Sequence, residues 1–191
     1  VYPSGPNRLE PEVVYSLLKN DMGCSDEEVT AFGFEEPRCW FRFTEGGYVG
    51  LEASMDFLAD YCRRERPDGI AGYSNGGGAA LLVSAAAEAG HEAFQSIRFV
   101  ISFCGATSPM MQKHIREALG PGQDRIVMPA LIFGSRRDPM LVNAEQMARD
   151  LFESCELAIV DEARPFANHA LPDDVSHYAP VVNFLARMAA R

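Results

Sequence analysis

Four short apolar runs, Gly69 to Tyr73, Arg98 to Phe103, Ala130 to Phe133 and Leu157 to Val160, constrain the fold of this chain more than any other feature. Each is a few residues long and bounded by turn residues, a pattern that suits strands buried on both faces. Helical stretches lie between them: Gly76 to Ala89 follows the first run, Asn143 to Glu153 precedes the fourth, and Tyr178 to Ala190 closes the chain. Such alternation predicts an α/β fold, with a mostly parallel sheet flanked by helices and right-handed crossovers. Two amphipathic helices are expected upstream. One carries Val13, Val14, Leu17 and Leu18 after Pro11; the other carries Leu51, Met55, Leu58, Ala59 and Cys62 within Gly50 to Arg66. In an open parallel sheet the ligand site lies beyond the carboxyl ends of the strands, so chemistry is sought there.

Gly72-Tyr73-Ser74-Asn75-Gly76 matches G-x-S-x-G and stands between a predicted strand and a predicted helix, the setting that a nucleophile elbow requires. A serine hydroxyl is a poor nucleophile until it is held exposed beside a base, and a tight turn does this only if its flanking residues are small. Gly72 and Gly76 meet that need. The turn would also aim the Asn75 backbone N–H at a developing oxyanion, helped by the positive end of the following helix. Asn75 supplies one of the two donors such a site uses. A glycine-rich helix start is the plain alternative for the letters alone, and the strand before them favours the elbow. Gly69 to Tyr73 is therefore expected as a central parallel strand with a strained Ser74 at its end. Gly77 and Gly78 each cost a helix about 1 kcal/mol relative to alanine, which predicts close packing of that helix on the sheet. The Gly-Lys-Ser/Thr ending of a phosphate loop is absent.

A base and an acid should follow in the order serine, acid, histidine. Asp138, in Gly134-Ser135-Arg136-Arg137-Asp138-Pro139, would emerge at the carboxyl edge just past the third strand. The bland alternative is a solvated turn aspartate before proline. Of the four histidines, His91 and His114 read as surface residues, and His177 starts the last helix. His169, in the loop between the fourth strand and that helix, occupies the place a catalytic imidazole needs, with His177 as the alternative. Asp138 and His169 are then expected within hydrogen-bond reach of each other.

Bulk properties narrow the partners. The 191 residues, 47 % hydrophobic and 23 % charged, suit a single domain. A formal charge of −10 leaves no basic face for a phosphate backbone, so nucleic acid is not an expected partner. The longest apolar stretch, around Ala79 to Ala87, is far shorter than the roughly 20 residues of a membrane span. Cys24, Cys39, Cys62, Cys104 and Cys155 are odd in number and contain no C-x-x-C pair, which suits the cytoplasm or another reducing compartment. The opening Val1-Tyr2-Pro3-Ser4-Gly5-Pro6 resembles neither a secretory signal nor a transit peptide, and the missing initiator Met suggests an N-terminally incomplete domain.

Cys39-Trp40-Phe41, then Gly47-Tyr48-Val49-Gly50-Leu51-Glu52 leading into a helix, then Pro67-Asp68-Gly69-Ile70-Ala71-Gly72-Tyr73-Ser74-Asn75-Gly76, form an ordered series that resembles the FSH-type serine hydrolase family. The resemblance runs from about Tyr2 to the last helix. It implies an α/β-hydrolase fold with Ser74 as nucleophile, Asp138 as acid and His169 as base before Ala170-Leu171-Pro172. Asn75 stands where the family usually has glutamine, and Ala167-Asn168 where it has glycines. The family's first strand, whose His-Gly loop supplies the second oxyanion N–H, has no counterpart here. One missing donor costs about 100-fold to 1000-fold in rate, so adding an upstream strand and loop is expected to speed ester hydrolysis at least about 100-fold.

The implied activity is hydrolysis of small carboxyl esters or thioesters through an acyl-enzyme, with His169 taking the Ser74 proton and later activating water. It calls for no metal and no organic cofactor. The alternative is a catalytically weakened or inactive hydrolase-fold subunit, an interaction module with protein partners in a larger assembly. Acyl length depends on pocket walls such as Ser108 to Gly122, whose course the sequence does not specify.

Overall fold

The computed structural model describes residues 3–32, 36–105, 107–161 and 169–191. The opening Val1-Tyr2 and the Ala167-Asn168 pair lie outside the described residues. The N-terminal part is built from short pieces. Strand β1 (Asn7–Arg8) pairs antiparallel with β2 (Arg38–Cys39), and β3 (Arg42–Thr44) pairs with β4 (Gly47–Val49) in a hairpin that sets Phe43 opposite Tyr48. Helix α1 (Pro11–Ser16) begins on proline, whose missing N–H costs nothing at that position, and continues as a π-helical turn over Leu17–Asp21. Helix α2 (Asp26–Phe32) starts with a reciprocal cap: Glu28 N–H donates to Ser25 Oγ at 3.2 Å, and Ser25 N–H donates to Glu28 Oε2 at 2.8 Å. Val14, Leu18, Cys24 and Val29 close a small apolar cluster between these helices.

Beyond them come α3 (Leu51–Glu65), β5 (Ile70–Tyr73), α4 (Asn75–Glu88), β6 (Val100–Phe103), α5 (Pro109–Leu119), β7 (Ala130–Ser135), α6 (Leu141–Leu151), β8 (Glu156–Val160) and α7 (Ala179–Ala189). The four apolar runs form one parallel sheet in the order β5-β6-β7-β8, with Ile70 beside Val100 and Val100 beside Ala130. Because side chains alternate along a strand, the sheet divides its residues between two cores. Val100, Ala130 and Ile132 meet α4, α5 and α6 through Leu81, Ile115 and Met147 on one face. Ile101, Leu131 and Phe133 meet Val181, Phe184 and Met188 of α7 on the other.

Helix α4 is buried on all sides from Gly76 to Ala85, as a central helix wedged between the sheet and α3 and α5 must be. Helix α5 buries Met111, Ile115 and Leu119, one stripe at i, i+4 and i+8, and starts at a Ser108 cap. The expectation of strands buried on both faces holds for β6 and β7 and fails for β5 and β8, which expose Ala71 and Tyr73, and Glu156 and Leu157. Among the described residues β5 stands at the end of this strand order rather than inside it as expected. Apolar content reports burial by everything that packs on a strand, and does not report which strands lie beside it. Among the described residues no helix is long and apolar enough to cross a membrane. All five cysteines are free thiols.

Candidate active site

The chain reverses sharply between β5 and α4. Ser74 occupies the N-cap with φ 51° and ψ −115°, a conformation that costs a non-glycine residue roughly 1–3 kcal/mol and persists only where its surroundings enforce it. The enforcement is visible. Ser74 N–H donates to Phe103 O at 2.9 Å at the end of β6, and Gly77 N–H donates to Ser74 O at 2.9 Å. The backbone comes so close to itself that a Cβ on Gly72 would sit 1.9 Å from Gly76 O. Of the next two glycines, Gly77 serves the packing on the sheet expected from the sequence, while Gly78 faces Phe41, outside that sheet. A Cβ on Gly77 would lie 2.6 Å from Ser102 Oγ and 3.1 Å from Gly105 Cα, and one on Gly78 would lie 3.1 Å from Phe41. Asn75 opens α4, so its N–H has no intrahelical acceptor and sits at the positive end of a 14-residue helix.

Asp138 follows β7 in a turn closed by Asp138 N–H to Ser135 O at 3.1 Å. It is only 6 % exposed, which excludes the solvated turn aspartate. A buried carboxylate needs donors. Met140 N–H donates to Asp138 Oδ1 at 2.8 Å, and His169 Nδ1 lies 3.0 and 2.9 Å from the two carboxylate oxygens. The other imidazole nitrogen, His169 Nε2, is 2.8 Å from Ser74 Oγ. A carboxylate on Nδ1 keeps the proton there and leaves the Nε2 lone pair facing the hydroxyl. His169, and not His177, is therefore the histidine at Ser74. His177 belongs to a single 3-10 turn, Val175–Tyr178. His91 caps another such turn, accepting from Ala93 N–H, and His114 lies on α5 beside Glu117. A shallow cleft of about 450 Å³ between α3, α4 and α5 is lined by Glu52, Asp56, His114 and Glu117 and includes none of Ser74, Asp138 and His169.

Several residues around the site escaped the sequence reading. The Asn75 side chain is one: its Oδ1 accepts from Trp40 N–H at 2.8 Å and Phe41 N–H at 3.4 Å, while its Nδ2 donates to Phe41 O at 3.1 Å. It fastens the segment between β2 and β3 onto the elbow. From the far side Asn7 Nδ2 donates to Trp40 O at 2.7 Å and reaches Gly50 O at 3.1 Å, and Ser54 Oγ also donates to Trp40 O. Cys104, at the end of β6, is buried with φ 49°. Burial first, and then the Asp138 carboxylate beside it, push its thiol pKa up to about 12. Tyr73, although 42 % exposed as a whole, donates its phenol proton to His169 O, and partial burial, with Cys104 and Asp138 nearby, raises the phenol pKa above its ordinary value.

A parallel sheet that carries a serine at a strained strand-to-helix turn, an acid after a later strand and a histidine beyond the last strand has the α/β-hydrolase fold. The chain belongs to the serine hydrolase (FSH1) family, which matches it over residues 1–180. Solved structures resemble it more distantly. An esterase domain from Rhodothermus marinus aligns with TM-score 0.47 and 18 % identity over 73 % of this chain and 66 % of its own. One of two fungal esterases from Rhizomucor miehei aligns with TM-score 0.47 and 14 % identity over 74 % of this chain and 59 % of its own. A lipase-esterase related protein from Clostridium acetobutylicum aligns with TM-score 0.42 and 14 % identity over 73 % of each chain. No curated protein matches the chain.

Proposed function

We propose that this chain hydrolyses small carboxyl esters or thioesters through an acyl-enzyme on Ser74. The observation that carries the proposal is the continuous line from Ser74 Oγ through His169 Nε2 and Nδ1 to the Asp138 carboxylate, at 2.8 and 2.9 Å. His169 removes the Ser74 proton as Oγ attacks the substrate carbonyl carbon, and Asp138 stabilises the imidazolium that results. The tetrahedral oxyanion forms opposite the Asn75 backbone N–H at the head of α4. Collapse expels the alcohol or thiol, which takes the proton from His169 and leaves the acyl group on Oγ. Water then attacks that ester with His169 again as base, and serine is regenerated.

Labelling with a fluorophosphonate probe tests this directly. Wild-type protein is expected to react, and Ser74→Ala and His169→Ala not to. A Ser74→Ala protein that labels as fast as wild type would refute the assignment. A folded wild type that neither labels nor hydrolyses an activated short-chain ester would favour the hydrolase-fold subunit.

A further inference from the structure

We propose that Tyr73, the residue before the nucleophile, is a positioning residue that straps His169 into line with Ser74 and Asp138. This rests on the acyl-enzyme function proposed above and adds to it the means by which the base is held. His169 belongs to neither helix nor strand, yet its imidazole is set to within hydrogen-bond distance of two partners on different strand ends. The main chain around it is tied down by side-chain donors. Tyr73 donates to His169 O, Cys104 Sγ lies 3.8 Å from Ala170 O, and Tyr178 donates to Pro172 O at 2.8 Å. Tyr73 also touches the ring, with centroids 5.6 Å apart and planes inclined at 34°.

The placement has a mechanical consequence. Tyr73 and Ser74 are consecutive, so the strand end that carries the nucleophile also carries the strap on its base, and a displacement of that end moves both together. A tyrosine hydroxyl, with an ordinary pKa of about 10, stays protonated and able to donate throughout the neutral range. The hydroxyl rather than the ring is the distinctive part, because phenylalanine at this position would leave the aromatic contact and remove the tether.

The test compares wild type, Tyr73→Phe, Tyr73→Leu and Asp138→Asn. The readout that does not depend on turnover is the downfield proton NMR resonance of the imidazole Nδ1–H held by a carboxylate. It is expected in wild type, absent in Asp138→Asn, and exchange-broadened or shifted in Tyr73→Phe. With an activated ester, Tyr73→Phe is expected to lower kcat about 10-fold with KM within about twofold, and Tyr73→Leu to lower kcat about 100-fold, as for a misplaced reacting group. A Tyr73→Phe protein that keeps both the wild-type resonance and its exchange rate overturns the proposal, whatever its melting temperature. If wild type shows the resonance but no Ser74-dependent labelling, the acyl-enzyme function fails, and the resonance in Tyr73→Phe still decides the role of Tyr73.

Discussion

Replacing Asn75 by alanine separates two tasks that fall on one residue. The backbone N–H at the head of α4 survives the substitution, while the side chain that grips Trp40 and Phe41 is lost. Two of its three contacts are well formed, at 2.8 and 3.1 Å, and the third is long at 3.4 Å. Phe41 is buried, so its freed carbonyl regains water poorly. At about 1 kcal/mol net for each well-formed hydrogen bond, the loss is about 2 kcal/mol. For a chain of this length that corresponds to a fall in Tm of about 4–8 °C, measurable by thermal melting followed by circular dichroism. Fluorophosphonate labelling should persist within about 10-fold of wild type, because Ser74, His169 and the Asn75 backbone N–H, the groups to which the proposed mechanism assigns the chemistry, all remain. An unchanged Tm would refute the fastening role of the side chain. Labelling reduced about 1000-fold at an unchanged Tm would place the side chain in the chemistry instead.

Two further outcomes follow from the same geometry. Gly72→Ala puts a methyl 1.9 Å from a backbone oxygen that cannot move aside without opening the elbow, so Ser74-dependent labelling should fall at least about 100-fold; Gly46→Ala, whose nearest neighbour is Thr44 Oγ1 at 3.9 Å, should label as wild type. Alkaline pH should destabilise the fold. Cys104 has a folded pKa of about 12 against an ordinary 9.0, so the folded state keeps a proton that the unfolded state releases, and stability present below about pH 9 is lost as pH rises toward 12. Chemical denaturation at stepped pH should show this decline, and Cys104→Ala should flatten it; a decline equally steep in that variant would refute the contribution of Cys104.

The division between sequence and tertiary structure is plain at individual residues. Four apolar runs and their intervening helices identified the parallel sheet, because burial and helical period leave a local imprint on residue type. Ser74, Asp138 and His169 could be singled out for a similar reason: the first two stand just beyond strands whose ends were legible and His169 in the loop between the last strand and the last helix, in an order that this fold uses. Even the capping box Ser25 to Glu28 was written in the letters, although the helix that it starts was not anticipated. Strands β1 to β4 were not legible, since two or three residues hold no period to detect. The position of β5 at the end of the described strand order, the grip of Asn75 on residues 34 and 35 positions away, and the bond from Tyr73 to a carbonyl 96 positions on were decided only in three dimensions. Each depends on which groups meet after the chain has closed on itself. A hydroxyl or amide is chemically the same whether its partner is water or a distant backbone atom, so residue type records the capacity to bond and leaves the choice of partner to the fold.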